Sequence, residues 1–363
     1  MQNIISRARG ASRLANWLLL AGCGALALLL VADSPLAMQG AREGLALSGQ
    51  VIIPSLYPFF VVGGLFVQQI SAQRRRSSRL LWKLLRQPPA ALGVILLGLL
   101  GGYPLGARTA AQLMERGQLT RAQAQRLQLF CVNAGPAYLI GAVGSALVGS
   151  RRAGLILFVA MSAASLVIGL LTRALATQDE AIPASPPPEQ TRSPGLDQRL
   201  LSAVTQATKS ILGVCAWVVL FSTLCALLQR LPLSAWGALP VLNVFLEVSS
   251  GAAAVVRAQV ALPVLCAALG WGGLSVHCQI LGDIKKTGLP LRLFWTSRLL
   301  HGGLAAAFCL RLLRWFPVSM PTAVIAGARV STRMWAVSAP AAAALLVFCA
   351  FVILELDLNR KIC

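Results

Sequence analysis

Glu247 is the residue whose position most needs a chemical explanation. Ten of the 11 acidic residues sit in polar tracts or near the ends of apolar stretches, whereas Glu247 stands inside the uncharged run Leu239 to Val256. A carboxylate at membrane depth costs at least ~2.5 kcal/mol on insertion scales, so it normally faces a cavity and acts there. It could carry a proton or a sodium ion coupled to movement of a solute. The competing reading is an ion pair with Arg257, or a place near the interface. No other cofactor is expected, and no His/Cys spacing suits a metal.

Four breaks fall inside apolar segments. Pro54-Ser55-Leu56-Tyr57-Pro58-Phe59-Phe60 is the first, and Gly101-Gly102-Tyr103-Pro104-Leu105-Gly106-Ala107 is the second. Asn133-Ala134-Gly135-Pro136 and Glu247-Val248-Ser249-Ser250-Gly251 are the others. Breaking a helix frees backbone N–H and C=O groups, which in hydrocarbon cost several kcal/mol each unless protein, water or ligand satisfies them. One proline or glycine can simply kink a transmembrane helix; four breaks with polar side chains point to a solute site. The chain's three tyrosines, Tyr57, Tyr103 and Tyr138, each lie within or two residues beyond a break. Lining a ligand and forming an interfacial aromatic belt are the two readings of that placement.

A further polar cluster follows the pair Gly272-Gly273 and contains Ser275, His277, Cys278 and Gln279. A lone histidine in such a place is more often a structural donor than a proton carrier, and this applies to His277 and more strongly to His301. No Ser/His/Asp set, phosphate-binding glycine loop or pair of carboxylates can be assembled, so the chain is not expected to be an enzyme. The nine cysteines lie mostly inside apolar runs and read as small buried hydrophobes.

These residues need a membrane to position them. Of 363 residues, 57% are hydrophobic and 12% charged, and mean hydropathy is +0.73. A soluble globular protein carries about 25% charged residues. Soluble enzymes, secreted disulfide scaffolds and disordered chains are thereby excluded. The net charge of +21 lies in short Arg/Lys tracts between apolar stretches, which is topology charge and not a nucleic-acid surface. The lipid bilayer and a small-molecule solute are the expected partners, nucleic acid is not, and a homo-oligomer is left open.

Ten apolar stretches approach the ~20 residues that a spanning helix requires. They are 16–32, 48–70, 90–106, 128–149, 153–174, 211–229, 239–256, 258–281, 293–313 and 334–355. The first lacks a cleavage site and is read as a retained helix. The tracts 71–89 and 107–127 are both basic, which makes 90–106 re-entrant, and the same reasoning applies to 258–281. The expected fold is therefore all-α, a polytopic membrane protein with about eight transmembrane helices plus two re-entrant or broken segments.

The organisation follows. Residues 1–45 form an N-terminal helix and connector, 46–174 a first membrane half, and 175–199 a Pro-rich polar linker. Residues 200–315 form a second half, and 316–363 a C-terminal loop and helix. Gly101, Gly102, Gly117 and Arg121 recur 171 residues later as Gly272, Gly273, Gly288 and Arg292, which reads as a repeat relating the two halves. Paired interrupted segments are the best sequence pointer to a transporter site.

Five pieces resemble the YlbJ-type sporulation integral membrane proteins with their nucleoside-recognition (Gate) domains. They are PSLYPFF at 54–60, GGYPLGA at 101–107, NAGPAYLIGAVG at 133–144, LEVSSG at 246–251 and GGLSVHCQ at 272–279. The resemblance covers roughly 50–315, with Ala134 and Ser249 departing from the Ser and Thr usual in the family. It implies two Gate-like halves and a polytopic carrier of the cell membrane, in a spore former the mother-cell membrane around the forespore. The cargo it implies is dipicolinate, a small aromatic dicarboxylate; the alternative is a non-transporting scaffold or sensor in sporulation. Such carriers usually have inverted repeats, whereas charge counting makes these halves parallel.

Overall fold

The computed structural model describes residues 16–17, 20–72, 83–176, 195–230 and 238–318. No strand occurs among them, and the all-α expectation holds. The last expected span, 334–355, and most of the linker lie outside the described residues.

Two long antiparallel helical columns form one side. Helix α1 (Leu20–Ala32) meets α2 (Ser34–Leu47) at 97°, around Asp33, which pairs with Arg230 at 2.8 Å. Helix α2 continues through a π-wound turn, Ser48–Ile52, into α3 (Ile53–Ala72). The break expected at 54–60 is therefore absent, and Pro58 lies inside α3. A proline removes one helical N–H donor and crowds the preceding turn; the wider π-turn just upstream is where the chain absorbs that irregularity. Helix α9 (Leu196–Leu228) runs antiparallel to this column, with Gly64 against Ala203, Gly44 against Val219 and Gly40 against Ala226. Glycine lets the two backbones approach closely there.

The remaining helices repeat one order: hairpin, broken span, returning helix. Helices α4 (Ala91–Leu100) and α5 (Tyr103–Glu115) fold back on each other at Gly101-Gly102, bringing Gly98 against Gly106. Thr120 then opens α6 (Arg121–Phe130) with a capping box, its hydroxyl accepting from the Gln123 N–H at 3.2 Å. After an irregular stretch, 131–136, the chain leaves through π-wound α7 (Ala137–Leu147). Helix α8 (Arg151–Leu171) returns beside both pieces, Gly154 against Gly144 and Gly169 against Phe130.

In the second set, α10 (Ala238–Leu246) and α11 (Val248–Arg257) turn at Glu247, with Gly251 against Val244. Helices α12 (Leu262–Trp271) and α13 (Gly273–Thr287) form a span broken at left-handed Gly272. Helix α14 (Leu291–Trp315) returns with Gly302 against Ala267. The segment 258–281 is thus broken but passes through, while 90–106 doubles back.

The two sets run in opposite senses. Helices α5 and α13 lie side by side, Tyr103 against Gly272 at their starts and Lys286 paired with Glu115 at 2.9 Å at their ends. Loops 116–120 and 288–290 therefore share one end of the bundle, in agreement with the charge reading. Helices α7 and α11 start together, Tyr138 donating to Ser249 at 3.1 Å, and leave toward the opposite end. One hairpin enters from each end, so the halves are inverted. The 171-residue register is corrected accordingly: it equates the tip of a hairpin with the middle of a through-going span.

Among the described residues, four helices are long and apolar enough to cross a membrane: Arg151–Leu175, Leu196–Leu228, Leu262–Thr287 and Leu291–Trp315. A fifth is added if the bent pair α1–α2 is one span.

Candidate solute site

The breaks of both through-going spans and both hairpin tips meet at one place. Gly102 has φ 94° and ψ 170°, a conformation that glycine alone adopts freely, and its bare face points at Leu56. Gly135 packs against the Leu100 carbonyl and the Gly102 N–H, where a side chain would not fit. Gly273, at φ 76°, lies against the backbone of Glu247 and Val248, and Gly272 lies against the Tyr103 ring. The glycines are thus the parts that bring broken helix ends into contact.

Between these ends is a small chamber lined from both halves. Gly102, Tyr103, Pro104, Ala134, Gly135 and Tyr138 contribute from one half. Val214, Val218, Glu247, Val248, Ser249, Val276 and Gln279 contribute from the other, and Ile52 and Leu56 close the side. Its volume is about 40 Å³, room for a few waters and not for an aromatic dicarboxylate. A groove of about 330 Å³ shares Tyr138 and Ser249 with it and follows α7 and α11 outward to Arg257 and Glu43.

The electrostatics follow from helix direction. Helices α5, α7, α11 and α13 begin at the chamber while α4, α6, α10 and α12 end at it, so four positive and four negative ends of helix dipoles meet there. Unpaired backbone N–H groups at such starts suit an anion. Against them stands Glu247, fully buried at 0% exposure. It caps α11: its Oε2 accepts from the Ser250 N–H at 2.6 Å, while its Oε1 has no partner. Arg257 is exposed at the other end of α11 and donates to the Ala253 carbonyl, so no Glu247–Arg257 ion pair forms.

The expected site residues therefore separate into groups. Gly102, Tyr103, Pro104, Gly135, Glu247, Ser249 and Gln279 line the chamber, and Gly101, Pro136, Gly272 and Gly273 shape its walls. Tyr103 anchors rather than reaches inward, its hydroxyl donating to the Leu269 carbonyl at 2.7 Å. Gly251 packs within its hairpin, and Ser275 is buried on α13, two residues beyond Gly273. His277 bonds the Trp271 carbonyl at 3.0 Å and meets the Trp271 and Phe294 rings edge-on. Pro54, Ser55, Tyr57 and Pro58 all belong to α3; Pro54, Tyr57 and Pro58 do not line the chamber, and Tyr57 reaches Thr208 on α9 at 3.4 Å.

Asn133 is structural. It donates to the Phe130 carbonyl at 2.9 Å and accepts from Ser165 at 2.6 Å, and Ser165 in turn meets His301 at 2.9 Å. The sequence reading missed Arg298, which is 1% exposed on α14. Its guanidinium donates to the Leu129 and Val132 carbonyls, the loose C-terminal end of α6. The criterion that singled out Glu247, a charge deep within an apolar stretch, applies equally to Arg298 in 293–313.

Fold and site together define a class: an integral membrane protein in which two inverted sets of helices, each with a re-entrant hairpin and a broken span, enclose a small, mostly apolar chamber that holds one carboxylate, Glu247. The chain is similar to the sporulation integral membrane protein YlbJ of Bacillus subtilis (strain 168), with 26% identity over 322 residues, 77% of this chain and 78% of that protein. The likeness runs along most of both chains and agrees with the resemblance read from the five motifs. No family model matches the chain, and no solved structure matches it.

Proposed function

We propose that the protein is a secondary carrier for a small anionic aromatic solute. By its likeness to YlbJ it serves sporulation, moving dipicolinate across the mother-cell membrane around the forespore. The observation that carries this reading is the convergence of four helix N-termini from opposed, inverted elements on one chamber at the middle of the bundle. Helix starts favour carboxylates, and a ring would lie against Tyr103 or Tyr138.

The chamber's ~40 Å³ belongs to a closed state. A solute of that class needs a pocket of some 300 Å³ or more, so it enters when a hairpin moves away from the opposing broken span. The groove along α7 and α11 provides the approach from one end, and the Tyr138–Ser249 hydrogen bond lies across it. Glu247 makes the cycle conditional: an anion cannot share this low-dielectric chamber with a bare carboxylate, so the solute is accepted only when Glu247 carries a proton or cation.

Uptake of dipicolinate, with a nucleoside as comparison, into proteoliposomes containing the full chain tests the proposal. The carrier reading expects saturable dipicolinate uptake that Glu247→Gln uncouples from the driving ion. Vesicles that move neither solute favour the scaffold or sensor alternative.

A further inference from the structure

Four buried side-chain atoms without a hydrogen-bond partner belong to residues at or near the contact of Glu247 with Gly273: Asn243 Oδ1, Glu247 Oε1, Ser275 Oγ and His277 Nδ1. Each stands within about one helical turn along the chain of that contact. A buried polar atom left unpaired costs about 1–3 kcal/mol, and a membrane core has no bulk water to relieve it. Four such atoms within about one turn of a single contact point to a ligand that satisfies them.

The donor set says which ligand. Three of the four are oxygens, carrying one formal negative charge between them. Oxygen donors suit hard cations, and a single carboxylate matches a single positive charge. Helix α10 also ends at this point, directing the negative end of its dipole at Asn243 and Glu247. Half-helix C-termini and unwound backbone in broken membrane helices are the settings in which sodium ions are bound. The carbonyls of α12 contribute little, since those of Leu269, Gly270 and Trp271 already accept from Tyr103, His301 and His277.

We propose that Asn243, Glu247 and Ser275 form a sodium site at the tip of the α10–α11 hairpin. The Glu247 carboxylate is shared: Oε2 caps α11 and Oε1 faces the ion. This deepens the carrier reading and rests on it for its purpose. A bound sodium ion cancels the charge that would repel an anion from the four helix starts, so the ion binds first and the anion second.

The test is equilibrium binding of radiolabelled Na⁺ to the purified full chain in nanodiscs, with choline holding ionic strength constant. One saturable Na⁺ per chain is expected. Glu247→Gln weakens it at least about tenfold, since ligand charge sets the affinity of such sites. Ser275→Ala and Asn243→Ala each weaken it several-fold, and Tyr57→Phe leaves it unchanged. Ser275→Ala removes one oxygen and little volume, so the site remains testable if the charge variant does not fold. Absence of saturable Na⁺ binding, or binding indifferent to both Glu247→Gln and Ser275→Ala, overturns the site. The carrier fails separately: Na⁺ binding without solute uptake supports the site and removes the carrier, and equal uptake in choline, driven by a pH gradient, does the reverse.

Discussion

The two hairpin tips perform the same turn by different chemistry. The α4–α5 tip is Gly101-Gly102, with Gly102 in a region closed to other residues and no side chain beyond its Cα. The α10–α11 tip is Glu247, in ordinary extended conformation at φ −141° and ψ 126°, using its own carboxylate to cap the next helix. The first presents bare backbone to the chamber; the second presents a charge. Inversion has thus preserved the path of the chain and not its residues. Hence the proposed carrier would hold its solute at the glycine tip and its ion at the acidic one.

Altering the hairpins' close contacts and their shared support should break this comparison most severely. Arg298→Ala leaves the Leu129 and Val132 carbonyls buried without a donor and should cost about 2–5 kcal/mol. The measurement is thermal unfolding in nanodiscs, where a variant as stable as the parent would deny Arg298 its role at the α6 break. Gly106→Ala and Gly251→Ala come next, because the added Cβ of each would press on backbone, Cys131 and Val244 respectively. Each should lower stability by about 1–3 kcal/mol.

Glu247→Gln sharpens the contrast instead. The cap survives, because the amide oxygen still accepts from Ser250, so stability should change by less than ~1 kcal/mol. The dependence of uptake on the coupling ion should disappear. Tyr138→Phe is the mildest of the site variants: it loses one hydrogen bond of about 1 kcal/mol, so the half-saturating solute concentration should shift by no more than about tenfold. Tyr57→Phe, outside the chamber, should leave uptake unaltered.

Much of the site was legible because membrane burial makes polarity conspicuous. Glu247 and the glycines around 101–102, 135 and 272–273 were found by one argument, that lipid forbids unsatisfied backbone and charge without a reason. Pro54 to Pro58 misled the same argument, since a π-turn can absorb a proline without opening the helix. The register of the halves was not readable: Gly-Gly pairs recur for close packing as well as for symmetry, and sequence does not show which end a hairpin enters from. Arg298 was overlooked because basic residues were taken together as topology charge, although one of them is buried against helix carbonyls.

The central claim is that the hairpin tips and broken spans enclose the solute. Cryo-electron microscopy of the full chain in nanodiscs, saturated with dipicolinate and Na⁺, tests it most directly. The account predicts solute density between Gly102–Pro104, Gly135–Tyr138 and Glu247–Ser249, in a chamber widened by displacement of one hairpin. Tips separated by lipid, or solute density away from all three segments, would contradict it.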